Sequence, residues 1–231
     1  MYEEITFLTN TIKSQRDACE TTGRGLNDNE RRAILDKHNE FRRRIAFQSH
    51  ESSQPAASNM KKLVNTLNTC IAFVAYYIQV WDPELEAIAQ RWADQCQFGH
   101  DTNRNKLDGT SVGQNVAWSS SSNEPSVRES VVAGVQGWYD EVHNPGFGSY
   151  PESPFSFDSG TGHYTQLVWA DTELVGCGMI YKRGSGGYEV TTVCNYAVAG
   201  NFRGSVMYKV GGACTACPSG YTCEAGLCAR Q

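Results

Sequence analysis

In LNDNERRAILDKHNEFRRRIA, the residues Ile34, Leu35, His38, Phe41 and Ile45 recur at helical spacing on one face. Asn27 precedes them with Glu30 three residues on, a pairing that satisfies orphan N–H groups, so the pattern predicts a helix over about 29–46. WDPELEAIAQRWADQC predicts a second: Asp82 caps it, Pro83 takes the first helical position, and Leu85, Ile88, Ala89, Trp92, Ala93 and Cys96 share a face. A third runs through PSVRESVVAGVQGWYDEVHN from Pro125, with Val127, Val131, Val135, Trp138 and Val142 inward; SSSSNE before it reads as a loop. Beyond a Pro-, Gly- and aromatic-rich loop over 144–160, the pattern changes to period two. In HYTQLVWA, Tyr164, Gln166 and Val168 alternate with Leu167 and Trp169, which predicts a strand with His163 at its mouth. LVGCGMIYK and YEVTTVCNY predict two more, joined as a hairpin through RGSGG. Helices first and an antiparallel sheet later give an α+β class.

A stretch at 64–79, VNTLNTCIAFVAYYIQ, breaks this order with an apolar run of about eleven residues, too short for a membrane span of ~20. It reads as a buried strand or helix.

The chain has 231 residues, enough for one substantial core with extensions. Its net charge of -5 excludes a polyanion partner such as nucleic acid, which needs a basic stripe. Arg42, Arg43 and Arg44 form the one tight basic cluster and read as a solvated helix face. Nine cysteines, four of them between positions 214 and 228, indicate disulfides and an oxidising compartment. The opening MYEEITFLTNTIKSQRDACE lacks the apolar core of a secretory signal. Either the protein is intracellular or its true start lies upstream of Met1, and the cysteines favour the second. No N-x-S/T sequon occurs; Asn68-Thr-Cys70 is at best a rare variant.

Two motifs invite chemistry that their context denies. Gly109-Thr-Ser111-Val-Gly113 matches a nucleophile elbow, but polar NRNKLD precedes it where a strand is required. Cys214-Thr-Ala-Cys217 mimics a redox motif, yet sits in a terminal cysteine cluster without a βαβ unit, which favours structural disulfides. A zinc ribbon would need a longer gap between its cysteine pairs. His38 reads as a structural histidine, buried and bonded to nearby backbone.

GHYTQLVW, CNYAVAGNF (194–202), HNEFR (38–42) and GQNV (113–116) resemble the four motifs of the CAP superfamily, which includes cysteine-rich secretory proteins, venom allergens and plant pathogenesis-related proteins. QPAASNMKKLV, WDPELEAIAQRWADQCQFGHD and VGQNVA resemble its arthropod venom-allergen branch and related helminth secreted antigens. The resemblance covers about 27–208, leaving a tail at 1–26 and a cysteine-rich knob at 209–231. It implies a three-layer α-β-α sandwich with a short antiparallel sheet, stapled by disulfides. The family pattern runs directly from NMKKLV to WDPELE, so 64–79 is an insertion here. Val64 has a codon beginning GT and Gln79 can be encoded by one ending AG, so the segment is either a retained intron or a real surface excursion.

With Cys70 set aside as the odd cysteine, the resemblance implies Cys19–Cys96 and Cys177–Cys194, each contributing ~2–4 kcal/mol. Cys214, Cys217, Cys223 and Cys228 would pair among themselves in one of three connectivities. A further family cysteine falls at Asn103, so one N-terminal bridge is absent.

Family members hold two histidines and two acids in a central cleft. The carry-over places them at His100, His163 and Glu141, with the second acid falling at Gln114. His100, His163 and Glu141 offer three zinc ligands with a fourth position open to water. Gln114 removes a negative charge, so zinc binding would be weak and no cofactor is required; the lost base also argues against hydrolysis. The resemblance further implies a sterol site at the aromatic loop, with Phe147, Tyr150, Phe155 and Phe157 as candidates, or a fatty acid between helices. The competing reading is that these rings anchor the loop to the core, above all Phe155 and Phe157. The expected function is a secreted, non-catalytic carrier of sterols or fatty acids without a transmembrane segment. The alternative is a secreted toxin or immunomodulator that binds a host or target protein.

Overall fold

A computed structural model describes residues 19–48, 54–63 and 81–231. The 64–79 segment, with Cys70, lies outside the described residues, as does most of the N-terminal tail.

A four-stranded antiparallel sheet lies at the centre: β1 (Gly23–Arg24), β2 (Gly113–Ser121), β3 (Leu174–Gly184) and β4 (Gly187–Ala197), in spatial order β1-β3-β4-β2. On one face α1 (Asp28–Ala46) and α3 (Val127–Asp140) cover Val175, Cys177, Met179, Val190, Cys194 and Tyr196. On the other, α2 (Pro83–Ala93) brings Leu85, Ala89 and Ala93 against Ile180, Val193 and Ala197. Odd and even positions of β3 therefore serve opposite layers, the period of a strand buried on both sides. The result is the expected α-β-α sandwich.

Close approach on the α2 side requires glycine. A Cβ at Gly176 would come within 2.3 Å of the Glu86 backbone nitrogen, and one at Gly178 within 2.4 Å of Gln90. These two residues let the helix sit directly on β3.

The predicted helix starts are found. The Asn27 side chain accepts from the Asn29 and Glu30 backbone N–H groups, while Glu30 accepts from Asn27 N, completing a capping box. Asp82 caps α2 at Leu85 N, and Pro83 opens it. Ser126 caps α3.

Two predicted elements differ. GHYTQL is not a strand: Gly162–Leu167 forms a short helix, α4. Its first N–H groups are satisfied from outside the segment, because Glu141 Oε2 accepts from His163 N at 3.0 Å and Tyr164 N at 2.9 Å. Arg42 donates to Leu167 O and Trp169 O at the other end, both at 2.9 Å. Tertiary caps thus override the strand propensity of a six-residue run. The missing strand is β2, which pairs with β4 along its whole length and continues through Ser119–Ser121 of the expected serine loop.

Arg42 corrects the basic-face expectation. It is fully buried and donates to five backbone carbonyls, those of Lys61, Leu167, Trp169, Ala170 and Thr172. Burial lowers its pKa to about 9.

Cys19–Cys96 and Cys177–Cys194 are bonded, the latter between directly opposed strand positions. In the knob Cys214–Cys223 and Cys217–Cys228 tie the preceding turn to β5 (Tyr221–Glu224) and to β6 (Leu227–Arg230) respectively. No described helix is long and apolar enough to cross a membrane.

Candidate functional site

The end of α3, the start of α4 and the beginning of β2 converge on His100 and His163, whose ring centroids lie 6.4 Å apart. Each imidazole is held by its Nδ1. That of His163 donates to Glu141 Oε1 at 2.6 Å, and that of His100 donates to Gln114 Oε1 at 3.1 Å. Nδ1 is occupied in both rings, while neither Nε2 has a hydrogen-bond partner among the described residues. A histidine oriented through one nitrogen by a carboxylate or carboxamide presents the other as an acceptor, the usual arrangement behind a metal or a polar ligand.

Glu141 does three things at once: it caps α4, fixes the His163 ring and ends α3, where it is the C-terminal cap residue. Gln114 is equally committed. Its Oε1 also accepts from Asp101 N at 3.0 Å, and its Nε2 donates to Asn195 Oδ1 at 3.0 Å. A carboxylate at this position would face Asn195 Oδ1 with no proton to donate. Desolvation lowers the His100 pKa, opposed by the Gln114 hydrogen bond and reinforced by Arg104 and His163.

The expected three-ligand set is not assembled. Among the described residues, the only three ligand-type side chains with ligand atoms all within 4.8 Å are Cys214, Cys217 and Cys228. Glu141 stands behind His163, on Nδ1, and so supports the ring from the side opposite its free nitrogen.

A buried polar chain beneath the cleft was not anticipated from the sequence beyond His38. His38 Nδ1 donates to Ile34 O, Tyr196 Oη donates to His38 Nε2, both at 2.8 Å, and Asn115 Nδ2 donates to Tyr196 Oη at 3.3 Å and to His163 O at 3.0 Å. Burial lowers the His38 pKa to about 4 and keeps the ring neutral. Asn201 adds a bond to Gly162 O and accepts from the Thr165 hydroxyl. Asn115, Asn195 and Asn201 all fall inside the quoted motifs, which was the one available signal.

The aromatic loop divides. Phe147 and Phe155 are buried in the core, Phe147 beside Tyr164 and Phe155 edge-on to Trp169. They anchor the loop and do not line a groove, contrary to the expectation from the resemblance. Tyr150 and Phe157 are about half exposed, at 52% and 47%. Phe157, a groove candidate with anchoring as its competing reading, stays partly exposed, and its ring covers Gly162, where a Cβ would lie 2.9 Å from it. The loop is pinned to a second segment by Phe155 N to Ser205 O, Gly204 N to Phe155 O and Met207 N to Pro151 O. That segment adds Phe202 and Val206, also partly exposed.

Ser111 is exposed and leads into strand β2, with no strand-to-helix turn around it.

Residues 35–196 match the CAP family, described as the cysteine-rich secretory protein family. The chain belongs to this family. CAP relatives include Venom allergen 3 of Solenopsis invicta, 39% identical over 196 residues, covering 80% of this chain and 74% of the relative. Venom allergen 5 of Vespa magnifica is 39% identical over 187 residues, covering 81% and 75%. Among solved CAP structures, NaASP2 with Zn2+ aligns with a TM-score of 0.69 at 27% identity, over 91% of this chain and 99% of that one. BmVAL-1 aligns with the same TM-score and identity, over 92% and 100%.

Proposed function

We propose that the chain is an exported, non-catalytic CAP protein that carries a small apolar lipid, a sterol or a fatty acid, on the rim formed by its aromatic loop. The observation that carries this reading is the exposure of Tyr150, Phe157, Phe202 and Val206 on two segments pinned side by side, over a base fixed by buried Phe155. Exposed aromatic and aliphatic groups on a rigid base gain free energy from covering an apolar ligand without ordering a loop first. Export is supported by the four disulfides and by the names of the venom-allergen relatives.

The reading of the cleft as a binding site rests on the lost acid. Gln114 is a carboxamide and offers no general base where the commoner pattern has an acid, and Glu141 is engaged by His163 and the start of α4. The two histidines offer zinc two nitrogen ligands, and two imidazoles without a carboxylate make a weak site. NaASP2, a relative at 27% identity, was solved with Zn2+.

Titration with cholesterol and with palmitate tests the carrier reading. The double substitution Phe157→Ala, Phe202→Ala is expected to weaken uptake at least tenfold while the circular dichroism spectrum is unchanged. Uptake that survives the substitution refutes the rim. A chain that takes neither lipid favours the alternative, an effector that binds a host or target protein.

A further inference from the structure

Among the described residues, a close cluster of sulfur atoms outside the cleft lies in the knob. The Sγ atoms of Cys214, Cys217 and Cys228 all lie within 4.8 Å of one another, although Cys214 is bonded elsewhere, to Cys223. Cys223 does not belong to that trio. The two disulfides therefore meet at Cys214. Access to them is graded: Cys223 is exposed, Cys214 and Cys217 are half-buried, and Cys228 is fully buried.

Both bonds join the turn carrying Cys214 and Cys217 to the hairpin carrying Cys223 and Cys228. Yet each half holds a pair that can close on itself. Cys223 and Cys228 are directly opposite in the β5–β6 register, and antiparallel partners lie ~4.5–5.5 Å apart at Cα, within disulfide reach. Cys214 and Cys217 have the C-x-x-C spacing.

We propose that the knob is a thiol-triggered switch between two disulfide isomers: the cross-braced pairing Cys214–Cys223 with Cys217–Cys228, and an internally closed pairing Cys214–Cys217 with Cys223–Cys228. The trigger is a small external thiol. Its thiolate attacks the exposed Cys223 Sγ, breaking the bond to Cys214 and leaving a mixed disulfide at Cys223 and a Cys214 thiolate. That thiolate attacks Cys217 Sγ, already within 4.8 Å, and Cys228 leaves as the thiolate. Cys228 then attacks Cys223 Sγ across the hairpin and releases the external thiol. Two disulfides break and two form, so no net oxidant or reductant is consumed and the thiol is catalytic.

The consequence is mechanical. Cys228 stays docked on the domain, its N–H donating to Met60 O at 2.8 Å and its carbonyl accepting from Lys62 N at 2.9 Å. The turn loses both covalent ties to that hairpin and keeps hydrogen bonds such as Ala216 N to Ser58 O at 3.0 Å.

Incubation of the intact chain with substoichiometric glutathione, followed by alkylation and chymotryptic digestion without reduction, tests the switch. Cleavage after Tyr221 divides Cys214 and Cys217 from Cys223 and Cys228. The fragments are joined in the cross-braced isomer and are expected to part after thiol treatment, each with an internal disulfide. Fragments that stay joined overturn the proposal. In Cys223→Ser, the knob cysteine that is alkylated is expected to be Cys228; labelling of Cys214 with Cys217–Cys228 retained contradicts it independently of any added thiol.

Discussion

At the scale of single residues, Gln114 is the most informative position. Its carboxamide uses both ends: Oε1 accepts from His100 and Asp101, and Nε2 donates to Asn195. Gln114→Glu is expected to raise the His100 pKa, because a nearby opposite charge favours the imidazolium. Zinc affinity should rise with it. NMR titration of the imidazole checks the first, and calorimetry the second; an unchanged His100 pKa would mean that the side chain has turned away. His163→Ala should abolish zinc retention while leaving lipid uptake intact, and joint loss of both would point to a collapsed cleft. Arg42 tests the floor beneath the site. Arg42→Met leaves up to five carbonyls short of a donor, so a loss of about 3–5 kcal/mol is expected in chemical denaturation.

At the scale of elements, the helices were legible because each carries its own start signal. Asn27 with Glu30, Asp82 with Pro83, and the Pro125–Ser126 entry to α3 are local, and the periodic valines and leucines do the rest. The cleft residues were legible only through the motif resemblance. What the sequence could not convey was capping supplied from a distance. The Tyr164–Trp169 run alternates like a strand, yet residues 164–170 are all buried, so alternation carried no information about faces. Glu141 and Arg42 determine that the segment is helical, and both are remote in sequence. The same holds for the loop, where composition could not tell buried Phe155 from exposed Phe157. Phe155→Ala should therefore cost about 3–5 kcal/mol of stability, while Phe157→Ala leaves the melting temperature nearly unchanged and acts on binding. Thermal melts of the two variants separate these roles.

At the scale of the whole molecule, acid stability is set partly by His38. Its pKa is about 4 in the fold against about 6.5 unfolded, so the unfolded chain binds the extra proton between those values. Stability is full above about pH 6.5 and falls as pH drops toward 4, by about 3 kcal/mol from this group. His38→Gln should flatten the denaturation midpoint across that window by one proton's worth; an unaltered slope would assign the acid sensitivity elsewhere. The central claim is that the folded chain is a carrier. A native mass spectrum of the protein secreted from eukaryotic cells, taken before and after solvent extraction, tests it most directly. A sterol or fatty-acid mass that disappears on extraction and returns on adding lipid is the predicted result, and a bare chain that also rejects added lipid would contradict it.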